Sequence, residues 1–189
     1  MNLNFMDVNF FTMNRLWIAI LRGPPGAGKT TLANHIIDFF GREKLDDGQM
    51  FYISRDLIRE KFANKHGLRY ETTFKHSHAN TRIRDKFMHE INVAMNYPLL
   101  GSNRIIIIDS TFSKLADMKN IFRMCRLHKL EKTKYWGFRP RVRLFNFESV
   151  KNNHRNVPKP KLDEIKSSLK ATDEYMRKHI KSKEIVEIK

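Results

Sequence analysis

Nine consecutive residues, Gly23-Pro24-Pro25-Gly26-Ala27-Gly28-Lys29-Thr30-Thr31, carry the densest chemistry in the sequence. They fit the P-loop pattern Gly-x4-Gly-Lys-Thr, whose glycines let consecutive backbone N–H groups turn inward around phosphate oxygens. In that pattern Lys29 brings a point charge to the β- and γ-phosphates of a nucleotide such as ATP, and the Thr30 hydroxyl is placed to ligate Mg2+. Two carboxylates stand at matching places further on. Asp109 ends the run Ile105 to Ile108, where an acid can hold Mg2+ directly or through water, or else cap the next turn. Asp56 follows the run Met50 to Ile53. It reads either as an acceptor for the proton of an attacking hydroxyl or as a helix N-cap. Arg59 lies one helical turn beyond Asp56, so both can face one cleft, and it reads either as a holder of an acceptor phosphate or as a plain surface arginine.

These residues need strands and helices to place them, and the sequence supplies the order. Leu16 to Leu21 is a continuous apolar run, as a buried parallel strand requires. After the glycine loop, Leu32, Ile36, Ile37 and Phe40 keep helical spacing, and Gly41 suits the C′ position. A polar connection ends in the turn Asp46-Asp47-Gly48 and leads into the second strand. Leu57, Ile58 and Phe62 mark a short helix closed by Gly67. A helix from about Ala79 carries Ile83, Phe87, Ile91, Ala94 and Met95 on one stripe and ends at Pro98 and Gly101. The four isoleucines form the third strand. Ser113 is a candidate N-cap for a helix with Leu115, Met118, Ile121, Phe122 and Cys125 inward. Residues 128–141 read as a basic, aromatic loop, Val142 to Phe147 as a fourth strand, and residues 148–160 as a loop or lid. Leu162, Ile165, Leu169, Met176 and Ile180 define a last helix, and Ile185, Val186 and Ile188 an edge strand. The expected architecture is a three-layer α/β P-loop kinase fold, with a mainly parallel sheet of four or five strands and a small lid. P-loop kinases usually place the strand before the loop centrally, so the first strand is expected there. Residues 1–14 form an extension, disordered or docked as a short arm, before one domain over residues 15–189.

Composition bounds the partners. The chain of 189 residues has a net charge of +16 and is 41% hydrophobic. Residues 1–113 carry 15 Lys+Arg against 11 Asp+Glu, whereas residues 114–189 carry 21 against 9. A basic excess of this size points to a polyanionic partner, usually nucleic acid, held mostly by the second half. Lys132, Lys134 and Arg139 are candidates for its backbone, and Tyr135 or Trp136 for stacking a base. No apolar stretch approaches the ~20 residues of a membrane span. Residues 1–14 lack the layout of a signal peptide. The single Cys125 excludes an internal disulfide framework, suits a reducing compartment, and falls on an apolar stripe as core filler. The histidines lack partners at metal-ligand spacing, so a structural zinc site is not expected.

Four segments together resemble the kinase domain of the phage polynucleotide kinase family and its P-loop relatives. They are Gly23 to Thr31, Ile53-Ser54-Arg55-Asp56-Leu57-Ile58-Arg59, Ile107-Ile108-Asp109-Ser110-Thr111, and Asn152-Asn153-His154-Arg155-Asn156-Val157-Pro158. The similarity runs from about residue 16 to 178. It implies an enzyme that moves the γ-phosphate of ATP, with Mg2+, to the 5′-hydroxyl of a DNA or RNA end, in nucleic-acid repair. It implies Asp56 as general base, Arg59 on the acceptor strand, Asp109 near the metal, and a lid arginine on the ATP phosphates. Relatives often have Arg-Asn where this chain has Asn152-Asn153, so the lid cation falls to Arg155 or Lys151. His76 and Arg82 are similar to a His…Asn-Arg helix of some relatives, with Thr81 in the place of the asparagine. The implied location is cytoplasmic, that of the host if the protein is phage-encoded. A nucleoside or nucleotide kinase on the same fold is the alternative, though it would not need the basic excess. A nucleotide-gated binding module is a third reading, opposed by the presence of Lys29, Asp56 and Asp109.

Overall fold

The computed structural model describes residues 16–97, 104–136, 141–147, 159–179 and 185–188. Five strands form one sheet: Leu16–Arg22 (β1), Met50–Ser54 (β2), Arg104–Ser110 (β3), Arg141–Phe147 (β4) and Ile185–Ile188 (β5). Their order is β2-β3-β1-β4-β5, and every neighbouring pair is parallel. β1 is therefore central, with β5 on the edge, as expected. The strands are apolar on both sides because both faces of the sheet are covered, which is the usual condition of a parallel sheet.

Alternate side chains of each strand point to opposite faces, and the core divides accordingly. Trp17 and Leu21 of β1 and Ile105 and Ile107 of β3 pack with Leu32, Ala33, Ile36 and Ile37 of the helix Lys29–Phe40 (α1). On the opposite face Ile18, Ile20, Ile106 and Ile108 meet three further helices. These are Arg55–Lys65 (α3), Ser77–Asn96 (α4) and Leu115–Trp136 (α5), and Met176 of Lys159–His179 (α6) joins them. The molecule is thus a three-layer α/β fold. The stripe Ile83, Phe87, Ile91, Ala94 and Met95 of α4 is buried in full, and Cys125 lies in the same core. Among the described residues no helix is long and apolar enough to cross a membrane.

Several local expectations need correction. The connection after Gly41 contains a one-turn helix, Glu43–Asp46 (α2), too short to show a period. Gly41 itself has φ of 93°, which favours glycine there. α4 starts at Ser77 rather than near Ala79. Leu57 is 41% exposed, so the inward face of α3 is carried by Ile58 and Ala63. α5 opens after Lys114, whose carbonyl accepts from the N–H groups of Asp117 and Met118, one residue beyond Ser113.

The largest correction concerns residues 128–141. Through Trp136 they continue α5 and are not a loop. Lys, Leu and Glu are strong helix formers, and the segment is rich in them although its basic, aromatic composition suggested a surface loop. Lys129, Lys132, Lys134, Tyr135 and Trp136 thus belong to a helix, Arg141 opens β4, and Phe138 and Arg139 lie outside the described residues. Most of the expected lid also lies outside them, with Arg155 and Lys151, while Lys159 and Pro160 already belong to α6. Pro98, Gly101, Ile180 and residues 1–14 likewise lie outside the described residues.

Candidate active site

The register of the sheet brings the chemical residues to one edge. Leu21 is level with Asp109, Arg22 with Ser110 and Asn146, and Ser54 with Asp109. The glycine loop after β1, Asp109 in β3 and Asp56 after β2 therefore share the carboxyl end of the sheet. The chain places β2 and β3 on one side of β1 and β4 and β5 on the other. Such a switch point is where open α/β sheets bind ligands.

The glycine loop is shaped by its backbone. A Cβ on Gly23, at φ 152°, would lie 2.6 Å from the Phe147 Cβ and 2.7 Å from its carbonyl oxygen, so only glycine permits this close passage beside β4. Gly28, at φ 95°, turns the chain into α1. α1 has no side-chain cap and no acidic residue in its first turn, so no carboxylate of that turn offsets the positive end of its dipole. Lys29 is 6% exposed and folds back over the loop. Its Nζ donates to the carbonyl oxygens of Gly23 at 3.0 Å and Pro24 at 2.7 Å. Pro25, Gly26 and Ala27 complete the arch, closed by the Ala27 N–H donating to the Pro24 oxygen at 3.4 Å. Thr30 and Thr31 fall in the first turn of α1.

Asp109 is 4% exposed and lies under this loop. Its Oδ2 accepts from the Thr30 hydroxyl at 3.1 Å and from the Tyr52 hydroxyl at 3.0 Å. Burial pushes the Asp109 carboxyl above the usual carboxylate range; Lys29 opposes this, Asp56 adds repulsion, and the two hydroxyl donors again oppose it. The Tyr52 hydroxyl is pushed up too, by burial first and then by Asp109. A divalent cation here would relieve a carboxylate that the fold holds at a cost. Thr30 Oγ1 and Asp109 Oδ2 are hard oxygen donors, and a pair of these with phosphate and water oxygens is how Mg2+ is ordinarily held. The residues therefore fit that ion. Just beyond, the backbone of Phe112 adopts a φ of 50°, with its ring buried 6.0 Å from that of Phe87.

Asp56 sits in the first turn of α3, half-buried. It is not the N-cap: Ser54 is, with its Oγ accepting from the Leu57 N–H at 3.5 Å. Asp56 Oδ1 instead accepts from the Tyr70 hydroxyl at 2.9 Å. Tyr70 opens a 3-10 turn, Tyr70–Phe74, and the same turn receives Arg59. Arg59 is 5% exposed; its guanidinium lies 3.9 Å over the Phe74 ring and donates to Asn80 Oδ1 at 3.1 Å. Asp56 and Arg59 thus both contact this turn, Asp56 through Tyr70 and Arg59 through Phe74, with Arg59 buried. Arg55 takes another path, pairing at 2.8 Å with buried Asp117, which also binds Arg84.

Sequence reasoning missed Tyr52, Tyr70 and Asn80, which orient the two carboxylates and the arginine. Nothing in their spacing marks them, since each finds its partner only in the folded chain. Buried Arg22 was missed as well. From the end of β1 it binds Asn146 at 2.5 Å, Asp173 at 2.7 Å, the Leu169 carbonyl and Thr172. This ties α6 to the foot of the glycine loop. His76 precedes α4 without a side-chain cap bond. Among the described residues no group of three or more His, Cys, Asp and Glu side chains could hold a metal. Searches of the sequence against protein-family models and against curated proteins find no match.

Proposed function

We propose that this protein is an ATP-dependent kinase that phosphorylates the 5′-hydroxyl of a nucleic-acid end. One observation supports the reading: two carboxylates at the carboxyl ends of neighbouring strands, Asp109 in β3 and Asp56 just after β2, are held in different surroundings. Asp109 is buried against Thr30 beneath the glycine loop, and Asp56 is half-buried, held by Tyr70 and not engaged in capping. The first suits a metal-bound phosphoryl donor and the second an acceptor hydroxyl.

In this reading the loop from Gly23 to Thr31 cradles the ATP phosphates, and Lys29 swings from its carbonyls to the β- and γ-phosphates. Thr30 and Asp109 would hold Mg2+, which would supply charge stabilisation to the transferring group. Asp56 takes the proton of the 5′-hydroxyl as the new O–P bond forms. The bond from the γ-phosphorus to its bridging oxygen breaks, and ADP leaves. Arg59, buried against Phe74 and Asn80, would orient the acceptor through that turn, and Arg155 or Lys151 would be the lid cation. The net charge of +16 supports a polyanionic acceptor. The single, buried Cys125 suits a cytoplasmic setting.

Acceptor-dependent release of ADP tests the proposal. It should be stimulated by oligonucleotides with 5′-hydroxyl ends and not by the same strands already 5′-phosphorylated. Preference for free nucleosides would make the protein a small-molecule kinase, and stimulation by neither acceptor would leave a nucleotide-binding module.

A further inference from the structure

Phe74 is 50% exposed, among the most exposed large apolar side chains of the described residues, and it is built unlike a stray surface phenylalanine. One face of its ring is backed by the Arg59 guanidinium at 3.9 Å, and the Tyr70 ring meets it edge-on at 5.4 Å between centroids. Its backbone is held as well. Asn80 Nδ2 donates to the Phe74 carbonyl at 3.0 Å while Asn80 Oδ1 accepts from Arg59, so one amide fixes both partners of the stack. Fully buried Thr73 bonds back to the Tyr70 carbonyl at 2.6 Å and locks the turn. The arrangement spends a buried arginine and an asparagine on presenting an aromatic surface to solvent.

Position gives that surface a use. Tyr70 touches Phe74 with its ring and Asp56 with its hydroxyl, so the platform stands one tyrosine side chain away from the carboxylate, a span that one nucleotide covers. Arg69 and Lys75 flank the turn and add positive charge. A flat π face, a cation behind it and basic neighbours match a nucleobase attached to a phosphodiester chain.

We propose that Phe74 stacks a base of the acceptor strand at its 5′ end, and so sets a requirement for a nucleobase beside the hydroxyl to be phosphorylated. This rests on the acceptor being a nucleic-acid end, as proposed above. Recognition by stacking is tolerant of base identity, because every base has a π face.

The probe is a short single strand with a 5′-hydroxyl and 2-aminopurine as its first base, titrated without ATP and compared with the same strand abasic at that position. Wild type should quench the 2-aminopurine and bind the base-bearing strand about tenfold tighter than the abasic one. Phe74→Ala should lose that preference and the quenching, with abasic binding unchanged, and Phe74→Trp should restore both. Equal losses by Phe74→Ala on both strands would mean a structural role and overturn the proposal. So would a Phe74→Ala variant that keeps the preference. Phosphoryl transfer is read separately: a wild type that stacks the base but phosphorylates no 5′-hydroxyl strand leaves the platform standing and removes the kinase reading.

Discussion

The two sides of the sheet's carboxyl edge are built by different means. The proposed donor side, from Gly23 to Thr31 with Asp109, is made of backbone and short side chains, and Lys29 and Asp109 are buried in it. Its geometry follows from glycine conformations, a helix N-terminus and one lysine folded over two carbonyls. The acceptor side, α3 with the turn Tyr70–Phe74 and the start of α4, is made of long side chains holding one another: Tyr70 on Asp56, Phe74 on Arg59, Asn80 on both. Every ATP presents the same phosphates, so a backbone cradle is enough for the donor. Acceptors differ, and an assembly of side chains can be adapted to one of them. If the proposed function holds, the difference teaches that the general step would sit on the local, contiguous element and the selective step on tertiary contacts.

Variants on each side should separate the two. The largest effect should come from the donor side. Lys29→Ala should lower transfer by on the order of 10²–10³-fold, since it removes a charge aimed at the transition state. A turnover within a few-fold of wild type would show that the loop is not the donor site. On the acceptor side, Asp56→Asn should cost ~10²-fold in transfer while ATP binding and melting temperature stay near wild type. Because Ser54 is the cap of α3, Ser54→Ala should cost ~1 kcal/mol with transfer retained, and any further loss in Asp56→Ala relative to Asp56→Asn should come from the Tyr70 hydroxyl it leaves without an acceptor. An Asp56→Asn enzyme at full rate would remove the base from the acceptor side.

Further effects are smaller. Single-strand affinity should fall with salt, the logarithmic slope changing by roughly 0.7 per phosphate contact. Replacing Lys132, Lys134 and Arg139 together should flatten it, and an unchanged slope would move the binding surface to another element. Asp109 gives a test in stability. Its carboxyl holds its proton more tightly folded than unfolded, so the folded state binds more protons above the ordinary carboxylate pKa. The contribution to stability therefore falls as pH rises through the window between the unfolded and the raised folded value. Above that window, without Mg2+, Asp109→Asn should melt higher than wild type while losing activity. Below it the gain should disappear. A variant that melts lower above that window would show that the charge is not held at a cost.

The same contrast decides what could be read from the sequence. β1, the glycine loop and α1 are continuous in the chain, and their signals are local: an apolar run, glycines at fixed offsets, helical spacing. The four isoleucines of β3 are equally plain. Tyr70 and Asn80 are 14 and 21 residues from the groups they bind, and no spacing rule links them. Arg22 is 151 residues from Asp173, so its hold on α6 is invisible before folding. Asp56 and Ser54 both suit an N-cap, and only the backbone decides that Ser54 does it. At the end of α5 a basic, aromatic composition suggests a loop, whereas the helix propensity of its Lys, Leu and Glu residues agrees with the helix found through Trp136.

The central claim is that one edge of the sheet joins a phosphoryl donor to a 5′-hydroxyl acceptor. The most direct measurement is to incubate the wild-type protein with Mg2+, ATP labelled at the γ-phosphate and a 5′-hydroxyl oligonucleotide, and then to locate the label. The account predicts label in the 5′-terminal phosphate alone, and none on a strand that already carries a 5′-phosphate. Label released only as inorganic phosphate, or found on free nucleosides in preference to the strand, would contradict it.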